Sequence, residues 1–329
     1  MSHHRYPPDA PIVDGRDRIA LCLAITPCLQ RTLVFPRLAL GAVNRARSRT
    51  LSAGGKSVNV ARTLKALGHQ PLVLGFSGGD TGTTLTALLQ RADMRVEFVA
   101  TSEPTRTCTT LINEANGVVT ELVEEAPCPT PAEWQTFNDK WSALLPRCTL
   151  VIAAGALPPG AAQDTYARLA VHTASTGRAF LLDAKGPALE QALAHAPLLV
   201  KLNRLELSTV TKEPLHTTAS VIAAAQALAL RGAQWVLVTQ GPEPAWLVNG
   251  TQVWGYRPPV VRALNPVGSG DATTGGIAAA LLGGRTLPEA VRWGIACGAA
   301  NATTLTAGEV PSALTEQLAT KLEVWQAQA

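Results

Sequence analysis

The sequence contains no run of about 18 uninterrupted apolar residues, the length that a membrane-spanning helix requires. Its first 18 residues, MSHHRYPPDAPIVDGRDR, are polar and proline-bearing and lack the apolar core of a signal peptide. A tract of clustered Lys and Arg is also missing, because 28 basic and 24 acidic residues give a formal charge of +4 that is spread along the chain. We therefore expect no membrane or nucleic-acid partner, and a cytoplasmic location.

The cysteines lack the spacings of metal, redox or haem sites, since no CxxC or CxxCH occurs among them. Several lie inside apolar runs, where a reduced thiol packs as a small hydrophobic group. We predict that all six are buried thiols: Cys22, Cys28, Cys108, Cys128, Cys148 and Cys297. Internal repeats and low-complexity tracts are absent too, which favours one large domain with an appendage over an array.

Short apolar runs bounded by Gly and Pro alternate with helical patterns along most of the chain. The predicted buried strands are IALCLAI, PLVLGFSGG, TLVIAAGALPPG, AFLLDAKG, PLLVKLN and QWVLVTQG. The predicted helices are SVNVARTLKALG, TGTTLTALLQRA, PAEWQTFNDKWSALL, DTYARLAVHTASTG, SVIAAAQALALRG and the segment after Asp271. This alternation predicts an α/β fold with a mostly parallel central sheet and helices on both faces.

Two segments interrupt the alternation, residues 31–50 and residues 105–123. The second contains Asn116-Gly117 between two alternating runs, which is a strong hairpin signal. Together the two segments predict a small β-sheet that projects from the main body.

The stretch NPVGSGDATTGG, residues 265–276, precedes an apolar helical run. In it Gly268, Ser269 and Gly270 allow successive backbone N–H groups to converge at a helix start, where the helix dipole favours an anion. Asp271 would lie beside such an anion and could accept a proton from an attacking hydroxyl group. On these residues alone, a simple helix-capping role for Asp271 is equally acceptable.

A second glycine cluster, SAGGKSVNVAR at residues 52–62, does not form a P-loop. Gly55-Lys56-Ser57 matches the end of GxxxxGK[ST], but position 50 is Thr and the preceding residues are too polar for a buried strand. The dinucleotide-binding fingerprint fails as well, because Thr273 stands where the third glycine is required. Taken alone, Gly54-Gly55 is best explained as a tight turn into a helix.

Two further predicted strands end in polar residues at the edge where open α/β sheets bind ligands. VKLNRLEL places Lys201, Asn203 and Glu206 there, and VTQG follows at residues 238–241. An amide oxygen and a carboxylate three residues apart suit Mg²⁺ held largely through water. Taken alone, Lys201, Asn203 and Glu206 are better explained as a solvated helix start, and VTQG as an ordinary loop.

These elements, in this order, resemble those of the PfkB (ribokinase-like) carbohydrate kinase family. The most similar branch is that of 1-phosphofructokinase and tagatose-6-phosphate kinase. The resemblance covers residues 20 to about 325 and rests on motifs such as LGAVNRA, AGGKSVNVARTLKALG, GFSGGDTG, PTRT, AGALPPG, LLDAKGPAL, VKLNRLEL and NPVGSGDATTGG. It implies a polar extension over residues 1–18 and a single kinase domain over residues 19–329. The two irregular segments would form its β-lid.

The resemblance also implies roles for individual residues. Asp271 would be the base, with the amides of Gly268, Ser269 and Gly270 around the transferring γ-phosphoryl group. The residues near ATP would be Lys201, Asn203, Glu206, Thr239, Gly241 and Asn301, with Asn203 and Glu206 positioning Mg²⁺. The residues facing the substrate would be Gln30, Gly55, Lys56, Asn59 and Arg106, the last contacting a substrate phosphate from the lid.

The chain departs from the family pattern in the sugar pocket. Gln30 replaces an aspartate that contacts sugar hydroxyl groups, and Ala154 and Ala156 replace serines, one of which helps to bind the substrate phosphate. Lys56 and Arg106 nevertheless favour a phosphorylated substrate, because two cations serve little purpose for a neutral sugar. We expect an ATP- and Mg²⁺-dependent phosphosugar kinase that forms a homodimer through its lid. A kinase for an unphosphorylated sugar or nucleoside, and a catalytically idle sugar-binding regulator, remain the alternatives.

Overall fold

The computed structural model describes Tyr6 and residues 18–327. Most of the polar extension predicted for residues 1–18 therefore lies outside the described residues. Within them, one large sheet carries helices on both faces, and a smaller sheet stands beside it. No helix in this part of the chain is both long and apolar enough to cross a bilayer.

The large sheet is parallel over most of its width. Its parallel strands are β1 (Ala20–Ala24), β4 (Leu72–Gly78), β5 (Arg95–Thr101), β8 (Leu150–Ala154), β9 (Ala179–Asp183), β10 (Leu199–Asn203) and β11 (Trp235–Gln240). Antiparallel strands extend one edge: β12 (Glu243–Val248), β13 (Val253–Arg257) and β14 (Glu323–Ala327). Across the described residues the order is β14-β13-β12-β11-β10-β9-β8-β1-β4-β5.

The helices cover both faces of this sheet. They are α1 (Lys56–Ala66), α2 (Gly79–Arg91), α3 (Pro131–Leu144), α4 (Thr165–Ser175), α5 (Gly186–Leu193), α6 (Arg204–Thr211), α7 (Thr218–Leu230), α8 (Ser269–Leu282), α9 (Leu287–Ala302) and α10 (Ser312–Lys321). Strand β1 is buried on both sides, with Leu21 and Leu23 in one apolar cluster and Cys22 in the other. Continuous apolar strands are required here because neither face of the parallel sheet meets water.

The smaller sheet forms the lid. It contains β2 (Cys28–Phe35), β3 (Ser48–Gly54), β6 (Thr107–Asn113) and β7 (Val118–Val123), in the order β3-β2-β6-β7. Strands β6 and β7 form the hairpin that Asn116-Gly117 predicts, and Gly117 adopts the positive φ of 70° that its turn requires.

The predicted parallel sheet, its two helical layers and the lid are confirmed. Three details differ from the expectations. Helix α8 begins at Ser269, two residues before Asp271, because Gly268 at φ 84° starts it. The antiparallel edge β12–β14 had no counterpart in the predicted pattern. Cys128 is exposed, since it lies in an irregular loop between β7 and α3, so the prediction of six buried thiols is wrong for this residue.

Candidate active site

The candidate site lies where the carboxyl ends of β8 to β11 meet the first turns of α1, α6 and α8. Parallel strands bring side chains from distant parts of the sequence to this one edge. Asp183 ends β9, and Lys201 and Asn203 lie at the end of β10. This edge collects most of the predicted site residues.

The first turn of α8, from Gly268 to Asp271, is the predicted anion-binding turn. Gly268 is its N-cap, and a Cβ there would lie 2.4 Å from the Cβ of Ala307. A Cβ on Gly270 would lie 3.1 Å from the Lys201 ammonium group. The amide of Ser269 already donates to the Pro266 carbonyl group (3.1 Å). The helix dipole and the lysine thus favour an anion at this turn.

Asp271 is not a helix cap. It is the third residue of α8, its side chain makes no capping hydrogen bond, and it is buried. Its Oδ2 instead accepts a hydrogen bond of 2.8 Å from Asn59 Nδ2 on α1. Burial raises the pKa of Asp271 to about 6, although Lys56, Asn59 and Lys201 oppose this shift. A carboxylate with such a pKa is ionised at neutral pH and suits a general base.

Asp183 lies between two lysines of the candidate site, although no role was assigned to it from the sequence. It is 1% exposed, and its two oxygens lie 2.9 Å from Lys56 Nζ and 2.6 Å from Lys201 Nζ. Although burial opposes its ionisation, the two ammonium groups hold the pKa of Asp183 well below its usual range. The same pairing raises the pKa of Lys56 well above its ordinary value. The signal in the sequence was a single aspartate at the end of the apolar run AFLLD.

This carboxylate joins the two halves of the site. Lys56 begins α1, directly after the Gly54-Gly55 turn, whereas Lys201 lies against the anion-binding turn of α8. Gly55 is indeed the turn residue expected from its sequence, since it has φ 98° and a Cβ there would lie 2.9 Å from Pro27 Cα. Asp183 therefore holds two cations, and both act on the carboxylate of Asp271.

Asn203 and Glu206 form a capping box at the start of α6. Asn203 Oδ1 accepts from the Glu206 amide (2.8 Å), and Glu206 Oε2 accepts from the Asn203 amide (2.9 Å). Glu206 Oε1 faces Lys56 Nζ at 3.6 Å. No cluster of three or more His, Cys, Asp or Glu side chains within Tyr6 and residues 18–327 is arranged to hold a metal ion. A single carboxylate, that of Glu206, fits a Mg²⁺ ion that is held mainly by water and phosphate oxygens.

The remaining residues predicted to lie near ATP are Thr239, Gly241 and Asn301, and they differ in their contacts. Thr239 donates to the Leu202 carbonyl group (3.4 Å), and Gly241 turns the chain at φ 62°. Asn301 is buried and fully engaged, because Nδ2 donates to Val267 O (3.1 Å) and Oδ1 accepts from the Gly308 amide (2.7 Å). Its side chain shapes the loop that precedes α8.

The two predicted substrate residues on the lid make contacts within the protein. Gln30 Nε2 donates to Thr110 Oγ1 across the lid (2.9 Å). Arg106 donates from its two terminal nitrogens to the carbonyl oxygens of Thr26 and Glu124, each at 2.9 Å. Its Nε is buried without a partner in the described structure. The guanidinium therefore lies at the base of the lid with donors to spare.

Comparison with known proteins relates most of the chain to one family. The profile of the pfkB family carbohydrate kinases matches residues 27–313. The phosphofructokinase-2 of Escherichia coli, solved in complex with fructose-6-phosphate, is 26% identical, with a TM-score of 0.82 over 92% of this chain and 98% of that one.

Two further structures share the fold. A possible 1-phosphofructokinase of Thermotoga maritima is 21% identical, with a TM-score of 0.85 over 94% of this chain and 100% of that one. The ribokinase of Arabidopsis thaliana, complexed with ribose and ATP, is 18% identical, with a TM-score of 0.73 over 92% of this chain and 99% of that one.

Proposed function

The chain belongs to the pfkB family of carbohydrate kinases, and on that premise we propose that it transfers the γ-phosphoryl group of ATP to a hydroxyl group of a sugar phosphate. The contact between Asp271 and Asn59 beside the first turn of α8 carries this proposal. Asp271 takes the proton of the sugar hydroxyl group, whose oxygen forms the new bond to the γ-phosphorus as the bond to ADP breaks. Positioning and charge stabilisation supply most of the catalysis in this chemistry.

The charges of the site suit this reaction. Lys201 and the first turn of α8 face the transferring group, and Lys56 lies on the sugar side of the same buried carboxylate. Mg²⁺, held through Glu206, Asn203 and water, would neutralise charge on the ATP phosphates. Asp183 holds both ammonium groups in place, so that they need not reorganise during the transfer.

The substrate class is tested with a panel of sugars and sugar phosphates in an assay that couples ADP release to NADH oxidation. We expect turnover with at least one ketose or aldose phosphate. Gln30 offers one acceptor and two donors where a carboxylate would offer acceptors alone, so the preferred hydroxyl pattern differs from that of fructose 1-phosphate or tagatose 6-phosphate. Turnover of unphosphorylated sugars or nucleosides alone would refute the sugar-phosphate proposal.

Arg106 is the proposed contact to the substrate phosphate. We expect Arg106→Ala to raise KM for the phosphorylated substrate about tenfold or more, because a charge-assisted hydrogen bond contributes roughly 1.5–3 kcal/mol. KM for the unphosphorylated analogue should change far less. Steady-state kinetics with both compounds measure this split, and Arg91→Ala, at an exposed arginine that ends α2 outside the lid, serves as control.

One observation favours a second candidate, a kinase for an unphosphorylated sugar. Both terminal nitrogens of Arg106 are already bonded to carbonyl oxygens at the base of the lid. If Arg106 only fixes the lid, its replacement raises KM equally for both compounds. That result would favour an unphosphorylated sugar as the substrate.

We also propose that two copies of this chain pair through their lids. Leu51, Val118 and Leu122 are 42%, 52% and 55% exposed, and the strand register places all three on the same face of the lid. Exposed apolar side chains on one sheet face are typical of a protein contact. Light scattering at micromolar concentration should give twice the monomer mass, and Leu122→Lys should weaken the pairing. A monomer under all conditions, with and without substrate, would contradict it.

A further inference from the structure

Arg62, on the same helix as Asn59, has no role in the site described above. Its Nη1 donates to Asn59 Oδ1 (3.1 Å) and to the Ala307 carbonyl group, and its Nη2 donates to the Ala53 carbonyl group. Burial lowers the pKa of Arg62 to about 10, so the guanidinium stays charged at neutral pH. One charged side chain thus reaches three separate parts of the site.

The contact to Asn59 decides which end of its amide faces Asp271. A guanidinium has donors only, so Asn59 must present its oxygen to Arg62. The amide nitrogen is then left to donate to Asp271 Oδ2, at 2.8 Å. With the amide turned over, its oxygen would face the carboxylate and repel it. An Asn59 amide fixed in this orientation stabilises the ionised form of Asp271. The second carboxylate oxygen of Asp271 is then left to accept from the sugar hydroxyl group.

The other two contacts fix the surroundings of Asn59. Ala307 packs beneath the anion-binding turn, where a Cβ on Gly268 would collide with it. The adjacent Gly308 lies so close to Asn59 that a Cβ there would be 2.4 Å from the Asn59 carbonyl oxygen. Ala53 directly precedes the Gly54-Gly55 turn on the sugar side. The same guanidinium therefore contacts three parts of the site: Asn59 beside the base, Ala307 below the first turn of α8, and Ala53 before the Gly54-Gly55 turn.

We propose that Arg62 is a positioning residue that orients Asn59 so that its amide nitrogen always faces the catalytic carboxylate of Asp271. This role rests on the proposed function, because it assumes that Asp271 is the base. Charged groups besides Arg62 also act on Asp271: Lys56 from α1, Asp183 from β9 and Lys201 from β10. Arg62 itself faces Glu309 and Cys28 in addition to Asp271. A test must therefore separate orientation from charge.

The test compares the pH dependence of kcat/KM for the wild type, Arg62→Met, Asn59→Ala and the double variant. The acidic limb of the wild type should lie near pH 6, where Asp271 becomes protonated. We expect Asn59→Ala to move this limb upward by about one pH unit, because the ionised carboxylate loses its donor. Arg62→Met should move it in the same direction by up to that amount, because an amide that is no longer fixed donates to Asp271 only part of the time. The double variant should move it no further than Asn59→Ala alone. The substrate phosphate also titrates near pH 6, but equally for every variant, so differences between profiles are compared.

Arg178→Met is the matched control. Arg178 is another partly buried arginine and donates to the carbonyl groups of Cys148, Thr176 and Pro146, each at 2.6 Å, away from the candidate site. Its loss should lower stability without moving the acidic limb. If Arg62→Met does not fold, Arg62→Lys takes its place, because an ammonium group keeps the charge but its single nitrogen cannot occupy the positions of both Nη1 and Nη2.

Two results would overturn the proposal. If the acidic limb of the kcat/KM profile moves no more in the Arg62 variant than in Arg178→Met, Arg62 has a structural role only. Additive shifts in the double variant mean that the arginine acts through its own charge and not through Asn59. Failure of the proposed function gives a different signature, because Asp271→Asn would then keep both its activity and the wild-type acidic limb.

Discussion

Asp271→Asn should lower kcat by about 10²–10⁴-fold, the usual contribution of a general base. Asn has nearly the same shape as Asp and can still accept the hydrogen bond from Asn59, so the fold and the substrate KM should change little. Removing the carboxylate leaves the sugar hydroxyl proton without an acceptor as its oxygen attacks phosphorus. Asp139→Asn, an exposed substitution on α3, is the control and should keep wild-type kinetics.

A near-normal kcat for Asp271→Asn would show that Asp271 is not the general base. The surrounding geometry would then need another explanation, because Asp271 makes no capping bond that could justify its burial. Circular dichroism and thermal melting of the variant distinguish lost chemistry from lost structure.

The largest expected effect on stability belongs to Asp183→Asn. Breaking a buried ion pair by removing one partner costs about 3–5 kcal/mol, because the other charge is left in a poor environment. Lys201 is 5% exposed and accounts for most of this cost. The Lys56 side chain is 39% exposed and contributes less, because water screens its charge. Urea unfolding at pH 7 measures the difference in the free energy of unfolding.

The pH dependence of this difference follows from the sign of the pKa shift. The pKa of Asp183 is depressed in the folded protein, so its ion pairs stabilise the fold fully above the unfolded pKa of about 4. That contribution is lost as the pH falls through the depressed folded value, and the gap between wild type and variant closes in acid. Glu190→Gln, which breaks an exposed pair with Arg231, is the control and should cost at most about 1 kcal/mol. An equal cost for both variants would contradict the structural role of Asp183.

The parts of the fold that were predictable are those with a strong local pattern. Strand β1 and helix α1 follow from unbroken apolar runs and helical spacing, and Gly68 ends its helical pattern at φ 84°. The edge strands β12–β14 lack such a pattern, because their sequences EPAWLV, VWGYR and EVWQA mix Pro, Gly and charged residues with tryptophans. Their pairing is decided by tertiary packing, as in the close approach of Trp325 to Gly255.

The residues of the candidate site also differ in how far the sequence predicts them. Gly268 to Asp271 were recognisable because the anion-binding turn and its acid are adjacent in the sequence. The contacts that control Asp271 were not, since Asn59 is 212 residues away and Asp183 lies 127 residues from Lys56. Only the return of the chain to the same sheet edge brings these groups together. The sequence likewise contains nothing to show that Arg62 points towards Asn59 and not into solvent.

Single-turnover transfer from γ-labelled ATP, with the enzyme in excess and the identified sugar phosphate saturating, tests the role of Asp271 most directly. It observes the chemical step without product release. We expect Asp271→Asn to form labelled sugar phosphate at least about 100-fold more slowly than the wild type, while still binding both substrates. Equal single-turnover rates for the two proteins would contradict the assignment of Asp271 as the base.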